Sequence, residues 1–229
     1  MRRLVRVAAL FGINENQARV ALSRMAARGE VLADGAGTYT LAGRLLDRAG
    51  RLAVSRRATT GRFDGAWHVV VVCATGDSAS VRSQRRAAFR AARLGELRDG
   101  LWLRPANLDV TLDAVEQSSV VRLLAVPDGD QRDLAWRTFD LAGWARRAAI
   151  LRDSLDIETL DGPGSLASGF VRSAEVLRHL QRDPLVPETL LGEQWPGAAL
   201  RARYEEFDAA YRALLAAAHR DTASTGVPR

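Results

Sequence analysis

Asn14-Glu15-Asn16-Gln17-Ala18-Arg19-Val20-Ala21-Leu22-Ser23-Arg24-Met25-Ala26-Ala27-Arg28-Gly29, followed by Glu30 to Leu41, is the stretch that decides the fold of the N-terminal part. Asn14 is a natural N-cap, and Glu15 in the first turn complements the helix dipole. At about 100° per residue, Ala18, Ala21, Leu22 and Met25 fall on one face, the expected core face. Asn16, Val20, Ser23 and Ala27 fall opposite, flanked by Arg19 and Arg24. Gly29 is a normal residue just past a helix end. The β-prone runs 30–33 and 38–41 surround Asp34-Gly35-Ala36-Gly37 and predict a hairpin. Upstream, Leu4, Val5, Val7, Ala8 and Leu10 predict a short helix stopped by Gly12. Helix, tight turn, helix, hairpin is the order of a winged helix-turn-helix.

The outer face of the second helix is small, polar and cationic, as a major groove requires. Asparagine pairs bidentately with adenine, arginine with guanine, and a small apolar residue meets a thymine methyl. The candidate DNA contacts are therefore Asn14, Asn16, Gln17, Arg19, Val20, Ser23, Arg24, Arg28, Thr38 and Tyr39, with Arg2, Arg3, Arg6 and Arg28 suited to phosphates. Charge distribution points the same way. All 33 basic residues of the 229 are arginine, against 27 acidic ones. Residues 1–62 hold 12 arginines and 4 acids, a net +8, whereas 63–126 carry +1 and 127–229 carry −3. A positive excess confined to one quarter of the chain is the footprint of a polyanion-binding module.

The remainder divides at Thr59-Thr60-Gly61-Arg62, after an arginine-rich connecting helix over 42–57. Trp67 to Cys73 reads as a buried strand, with Cys73 expected to be an inert core thiol. An amphipathic helix over 78–94, a strand pair around Asp99-Gly100, a helix over 109–118 and a strand over 120–126 then suggest a ferredoxin-like order. After Pro127 helices are expected over 131–153, 165–182 and 198–219. The fold class is α+β in three segments. A winged helix-turn-helix with its connecting helix occupies 1–58, and a ferredoxin-like domain occupies 63–127. A helical effector and dimerisation domain fills 128–220, and 221–229 form a flexible tail.

No apolar run approaches the ~18 residues of a membrane helix, and the N-terminus lacks a persuasive signal-peptide cleavage site. A single cysteine suits a reducing cytoplasm. Asp77-Ser78, between strand and helix, approaches a nucleophile elbow but reads as an N-cap. His68, His179 and His219 have no second ligand at metal spacing. No nucleotide-binding glycine motif occurs. No catalytic residue, metal or cofactor is expected. One rival class remains, a metal-dependent nuclease that would use Asp64 on the ferredoxin-like domain.

Leu10 to Ile13 with Arg19 to Met25 resembles the winged-helix start of the PaaX-like regulators, named for the repressor of phenylacetate degradation. Leu94-Gly95-Glu96-Leu97-Arg98-Asp99-Gly100-Leu101-Trp102-Leu103-Arg104-Pro105 resembles that family's central stretch. Asp183-Pro184-Leu185-Val186-Pro187-Glu188-Thr189-Leu190-Leu191-Gly192-Glu193-Gln194-Trp195-Pro196-Gly197 resembles its most specific, C-terminal block. The resemblance implies a bacterial transcriptional regulator, usually a homodimeric repressor released by an acyl-CoA-type effector. One short recognition helix offers few base contacts, so a two-fold dimer on an imperfectly palindromic double-stranded operator is expected. Relatives carry an additional first helix. Here the chain starts near the second, so that either translation begins upstream of Met1 or the three-helix core exposes apolar surface. Gly192 stands where the family usually has proline. For a CoA thioester the expected cations are Arg82, Arg85, Arg86 and Arg90, with Trp102 and Trp195 as walls of an apolar slot. The competing view of those arginines is a solvated helix face.

Overall fold

The computed structural model describes residues 2–35, 37–113 and 119–224, with side chains from 4 to 220 among them. The chain is α+β. It packs as two compact units, one from Met1–Arg57, Ala149–Gln181 and Ala198–Arg229, the other from Ala58–Ala148 and Arg182–Gly197. These units do not follow the three consecutive segments read from the sequence. The N-terminal segment shares a unit with late helices, and the short stretch 182–197 belongs with the central strands.

In the first unit, α1 (Arg2–Ala9) and α2 (Glu15–Ala27) precede a hairpin of β1 (Val31–Ala33) and β2 (Tyr39–Leu41), and then α3 (Gly43–Arg57). The hairpin pairs Val31 with Leu41 and Ala33 with Tyr39. Gly29 takes φ +65, a left-handed value that ends α2 where a side chain would be strained. The unit's core lies elsewhere, on helices α7 (Leu166–Gln181) and α9 (Gly197–Ser224). Leu166, Val176, Leu180, Leu200, Tyr204 and Phe207 there are all almost wholly buried. The α3 helix is fastened to α9 by Arg56. Its guanidinium meets Glu205 at 2.8 Å and the buried Asp208 at 2.9 Å, and lies 5.1 Å over the Tyr204 ring. Phe11 meets Phe170 edge-on at 5.8 Å.

The second unit is built on a four-stranded antiparallel sheet in the order β4-β5-β3-β6, with β3 Trp67–Val72, β4 Gly95–Arg98, β5 Leu101–Pro105 and β6 Val120–Ala125. Val70 sits opposite Trp102 on one side and Arg122 on the other. Side chains alternate across the strands, so the sheet feeds two cores. Val70, Trp102, Val110 and Leu112 pack with Phe89 of α4 (Ala79–Ala91). Trp67 and Leu103 pack with Ala135 of α5 (Gln131–Thr138), Leu141 of α6 (Leu141–Ser154), and Val186, Leu190 and Leu191, the last two on the short α8 (Glu188–Leu191). Gly95 is required where α5 crosses β4, since a Cβ there would lie 2.5 Å from Thr138 Cγ2 and 2.6 Å from Thr138 O.

Several details differ from the sequence reading. The helix expected over 131–153 is two helices. Thr138 Oγ donates back to Leu134 O at 2.7 Å, Phe139 turns extended, and Asp140 Oδ1 accepts the Gly143 N–H at 2.8 Å to start α6. Cys73 is exposed, since it follows the last residue of β3 rather than lying within it. Of the expected tail, residues 221–224 continue α9, and 225–229 lie outside the described residues. The helix expected over 109–118 has no regular structure at 109–113, and 114–118 lie outside the described residues. Gly192 takes φ +97, a value that the ring of proline, held near −65°, cannot reach. This turn therefore runs differently from one built on the family's usual proline.

Candidate functional site

The first candidate surface is the outer face of α2. Its N-terminus is closed by a capping box. Asn14 Oδ1 accepts the Gln17 N–H and Gln17 Oε1 accepts the Asn14 N–H, both at 2.9 Å. The sequence named Asn14 and Gln17 as base-contact candidates, and the fold gives both side chains this local task. Ala18 is buried, and Leu22 and Met25 are half-buried, whereas Asn16, Arg19, Val20, Ser23, Arg24 and Ala27 are exposed. Ala21, placed on the core face by the helical wheel, is exposed too. Arg6 is exposed as well, while the side chains of Arg2 and Arg3 lie outside the described ones.

The arginines of this face are not equally available. Arg19 pairs with Glu15 one turn back, with both side chains more than half exposed. Such a pair is worth only ~0.3–0.5 kcal/mol, so a phosphate readily competes for Arg19. No carboxylate pairs with Arg24 among the described residues. Arg28 is committed. Its guanidinium holds Glu30 at 2.8 Å while Arg44 holds the other carboxylate oxygen at 2.6 Å. Glu30 is almost wholly buried, and the hydrogen bonds from Arg28 and Arg44 depress its pKa to about 2. Releasing Arg28 to a phosphate would leave a buried carboxylate short of a partner. Thr38 is exposed, its N–H donating to Asp34 Oδ1 at 2.9 Å, and Tyr39 is half-buried.

The second candidate lies in the sheet unit. Arg82, Arg85, Arg86 and Arg90 occupy α4, and a cavity of about 240 Å³ opens between that helix and the β4–β5 hairpin. Arg82, Arg85, Arg86 and Trp102 line it. Trp102 is only 2% exposed, with Phe89 edge-on at 5.2 Å. Trp195 is not there. It stacks on Trp144 at 4.8 Å in the other core of the sheet. The expected slot walled by both tryptophans is therefore not formed, because residues 102 and 195 pack into cores on opposite faces.

Sequence reasoning missed a third cluster. Arg104 is buried with no carboxylate partner among the described residues, donating to Pro105 O at 3.0 Å and to Asn107 Oδ1 at 3.1 Å. Asn107 Nδ2 in turn donates to Leu185 O at 2.8 Å, and Arg93 donates to Asp183 O. Desolvation, with the neighbouring Arg93 charge, lowers the Arg104 pKa to about 10, which keeps it charged at neutral pH. Burial, helped by Arg104 and Arg122, likewise holds His68 below its usual pKa. The clasp joins Arg93 and Asn107, which flank the central block 94–105, to Asp183 and Leu185 at the start of the C-terminal block. Asp64 accepts the Ala66 N–H at 3.1 Å, a turn-forming contact.

A family model described as PaaX-like protein matches residues 1–45, and another described as PaaX-like protein C-terminal domain matches 150–224. The chain belongs to the PaaX-like family. Membership makes transcriptional regulation its broad functional class. Among solved structures, the uncharacterized protein Rv0674 from Mycobacterium tuberculosis is similar at a TM-score of 0.77 and 36% identity, over 95% of this chain and 90% of that one. No curated protein matches. The two PaaX-like matches begin and end in the unit that carries α2, while the strands of the sheet unit lie between them. No helix among the described residues is long and apolar enough to cross a membrane.

Proposed function

We propose that this PaaX-like chain is a sequence-specific, cytoplasmic DNA-binding repressor whose N-terminal segment is a winged helix-turn-helix with α2 as recognition helix. The observation that carries the reading is the outer face of α2, where Asn16, Val20, Ser23 and Arg24 stand exposed on a segment of net charge +8. Arg24 is the natural base reader, Arg19 competes for a phosphate, and Arg28 braces the hairpin through Glu30. One short helix reads few bases, so the protein acts as a homodimer on an imperfect palindrome. Its half-sites would lie about 34–36 Å apart, or a multiple of that.

The sheet unit, with the ferredoxin-like strand order β4-β5-β3-β6, serves as an effector-sensing body rather than as a nuclease. The effector must favour a state that no longer spans both half-sites, because a ligand with equal affinity for two states shifts nothing. The family resemblance suggests an acyl-CoA thioester. Arg82, Arg86 and Arg90 offer cations for its phosphates, but the apolar slot has to come from elsewhere than a Trp102–Trp195 pair.

A footprint over the promoter region of the protein's own gene tests this directly. Protection of a two-fold-related site, weakened by Arg24→Ala, is the expected result, with the DNA intact after prolonged incubation with magnesium or manganese. No protection at any protein concentration would sink the reading, and cleavage abolished by Asp64→Ala would replace it with the nuclease.

A further inference from the structure

The cavity beside α4 has two walls of opposite charge. Arg82 and Arg85 line the helical side, Glu96 and Asp99 the hairpin side, and Arg86 reaches across to both acids at 3.1 and 3.0 Å. Arg82 and Arg85 are both turned to Asp77, through its backbone carbonyl and its carboxylate respectively. Glu96 is the unusual member. Its Oε1 is buried and held by the Arg86 charge at 3.1 Å, without a directed hydrogen bond. An acceptor held by charge alone has room for an N–H donor. Val72 and Ala74 complete the lining with apolar surface.

We propose that this cavity binds a free α-amino acid with a small apolar side chain. The ammonium group donates to Glu96 Oε1 in a directed hydrogen bond. The carboxylate takes Arg82 and Arg86, the latter released from Glu96, whose charge the ammonium now balances. The side chain rests against Val72 and Ala74. The zwitterion brings one charge of each sign and leaves the net charge of the site unchanged, and the bound molecule needs both charges to make the exchange. Size agrees. At about 240 Å³ the cavity is below the roughly 300–1,000 Å³ of pockets for drug-sized ligands, a size suited to a small zwitterion. The inference rests on the effector-sensing reading of this unit, puts an amino-acid carboxylate in place of the thioester phosphates at Arg82 and Arg86, and is independent of how α2 meets DNA.

Isothermal titration calorimetry of the full chain with L-alanine, L-valine and L-leucine tests it, with isobutyrate, isobutylamine and inorganic phosphate as single-charge controls. At least one amino acid is expected to bind about tenfold or more tighter than every control, a difference of ~1.4 kcal/mol. Glu96→Gln, which keeps shape and removes the charge, is expected to bring that amino acid down to the level of isobutyrate. Arg82→Gln should weaken the amino acid and isobutyrate alike. Absence of binding by all three amino acids, or phosphate or isobutyrate binding as tightly as the best of them, overturns the proposal. So does a Glu96→Gln protein that melts like wild type and retains full affinity. Operator shifts on the same preparations separate this outcome from the DNA reading, which survives a failure here.

Discussion

Two hairpins in this molecule treat their apolar residues in opposite ways. In the β1–β2 hairpin, Leu32 is 63% exposed and Leu41 48%, and Val31 is the one strand residue there that is buried. In the β4–β5 hairpin, Trp102, Leu103 and Arg104 are all buried, each strand face having a core to join. The surrounding segments are more alike at their surfaces. Leu4, Ile13, Val20, Leu46 and Val54 in the first 57 residues are each more than 40% exposed, and so are Val121, Leu123 and Leu124 on β6, while Trp67, Val70 and Phe89 inside the sheet unit are wholly covered. The difference teaches what holds each hairpin. Residues 1–57 hold their shape through caps, turns and the ties of Arg56 and Glu30. The β4–β5 hairpin holds its shape by burial.

The largest expected effect would come from cutting into the buried region. Trp67→Ala removes the ring that both β5 and α5 pack against, and should lower unfolding stability by about 3–5 kcal/mol in a urea titration. A loss under 1 kcal/mol would erase the distinction between the two regions. Arg24→Ala should do the reverse. It is expected to weaken specific operator binding by roughly 1–3 kcal/mol in a gel shift, while unfolding stability stays within about 0.5 kcal/mol. An unfolded Arg24→Ala protein would mean that α2 is a core element after all.

Asn14→Ala opens the capping box and should cost about 1 kcal/mol, within a range of ~0.5–2, read as faster hydrogen exchange at the first turn of α2. Acid sharpens the comparison further. The Glu30 pKa falls from 4.5 to about 2 on folding, so the unfolded chain binds its proton first as pH drops. Its stabilising contribution is complete above about pH 5 and should be lost progressively between pH 4.5 and 2. Glu30→Gln should flatten that part of the pH profile, and an unchanged profile would assign the acid sensitivity to other groups. The smallest effect is expected at Leu32→Ser. With a side chain already in water, its stability change should stay within about 0.5 kcal/mol. A much larger loss would show that the hairpin is covered in solution.

Local patterns made much of this molecule legible. Asn14, Gly29 and the wheel face of α2 were readable because capping, left-handed backbone and helical periodicity are set within a turn or two of chain. A cap for α4 at Asp77 or Ser78, a strand over 67–73, a strand pair around Asp99-Gly100 and a strand over 120–126 were readable for the same reason. The break at Phe139-Asp140 was not, since a uniform apolar pattern runs through it and only the Asp140 cap reveals it. Nor was the separation of Trp102 from Trp195, which depends on which face of one sheet each residue joins.

The sequence by itself determined most of the element order, the cationic N-terminal quarter and the N- and C-terminal blocks that mark the PaaX-like family. Each of these is written in neighbouring residues, where propensity, capping and charge act over a few ångströms. The tertiary structure alone decided that 182–197 joins the central sheet, that Arg28 serves Glu30, and that Arg104 is buried on carbonyls and Asn107. These are pairings between residues that local propensity does not connect. They are selected because a buried polar group must find a partner wherever the fold brings one within hydrogen-bond reach.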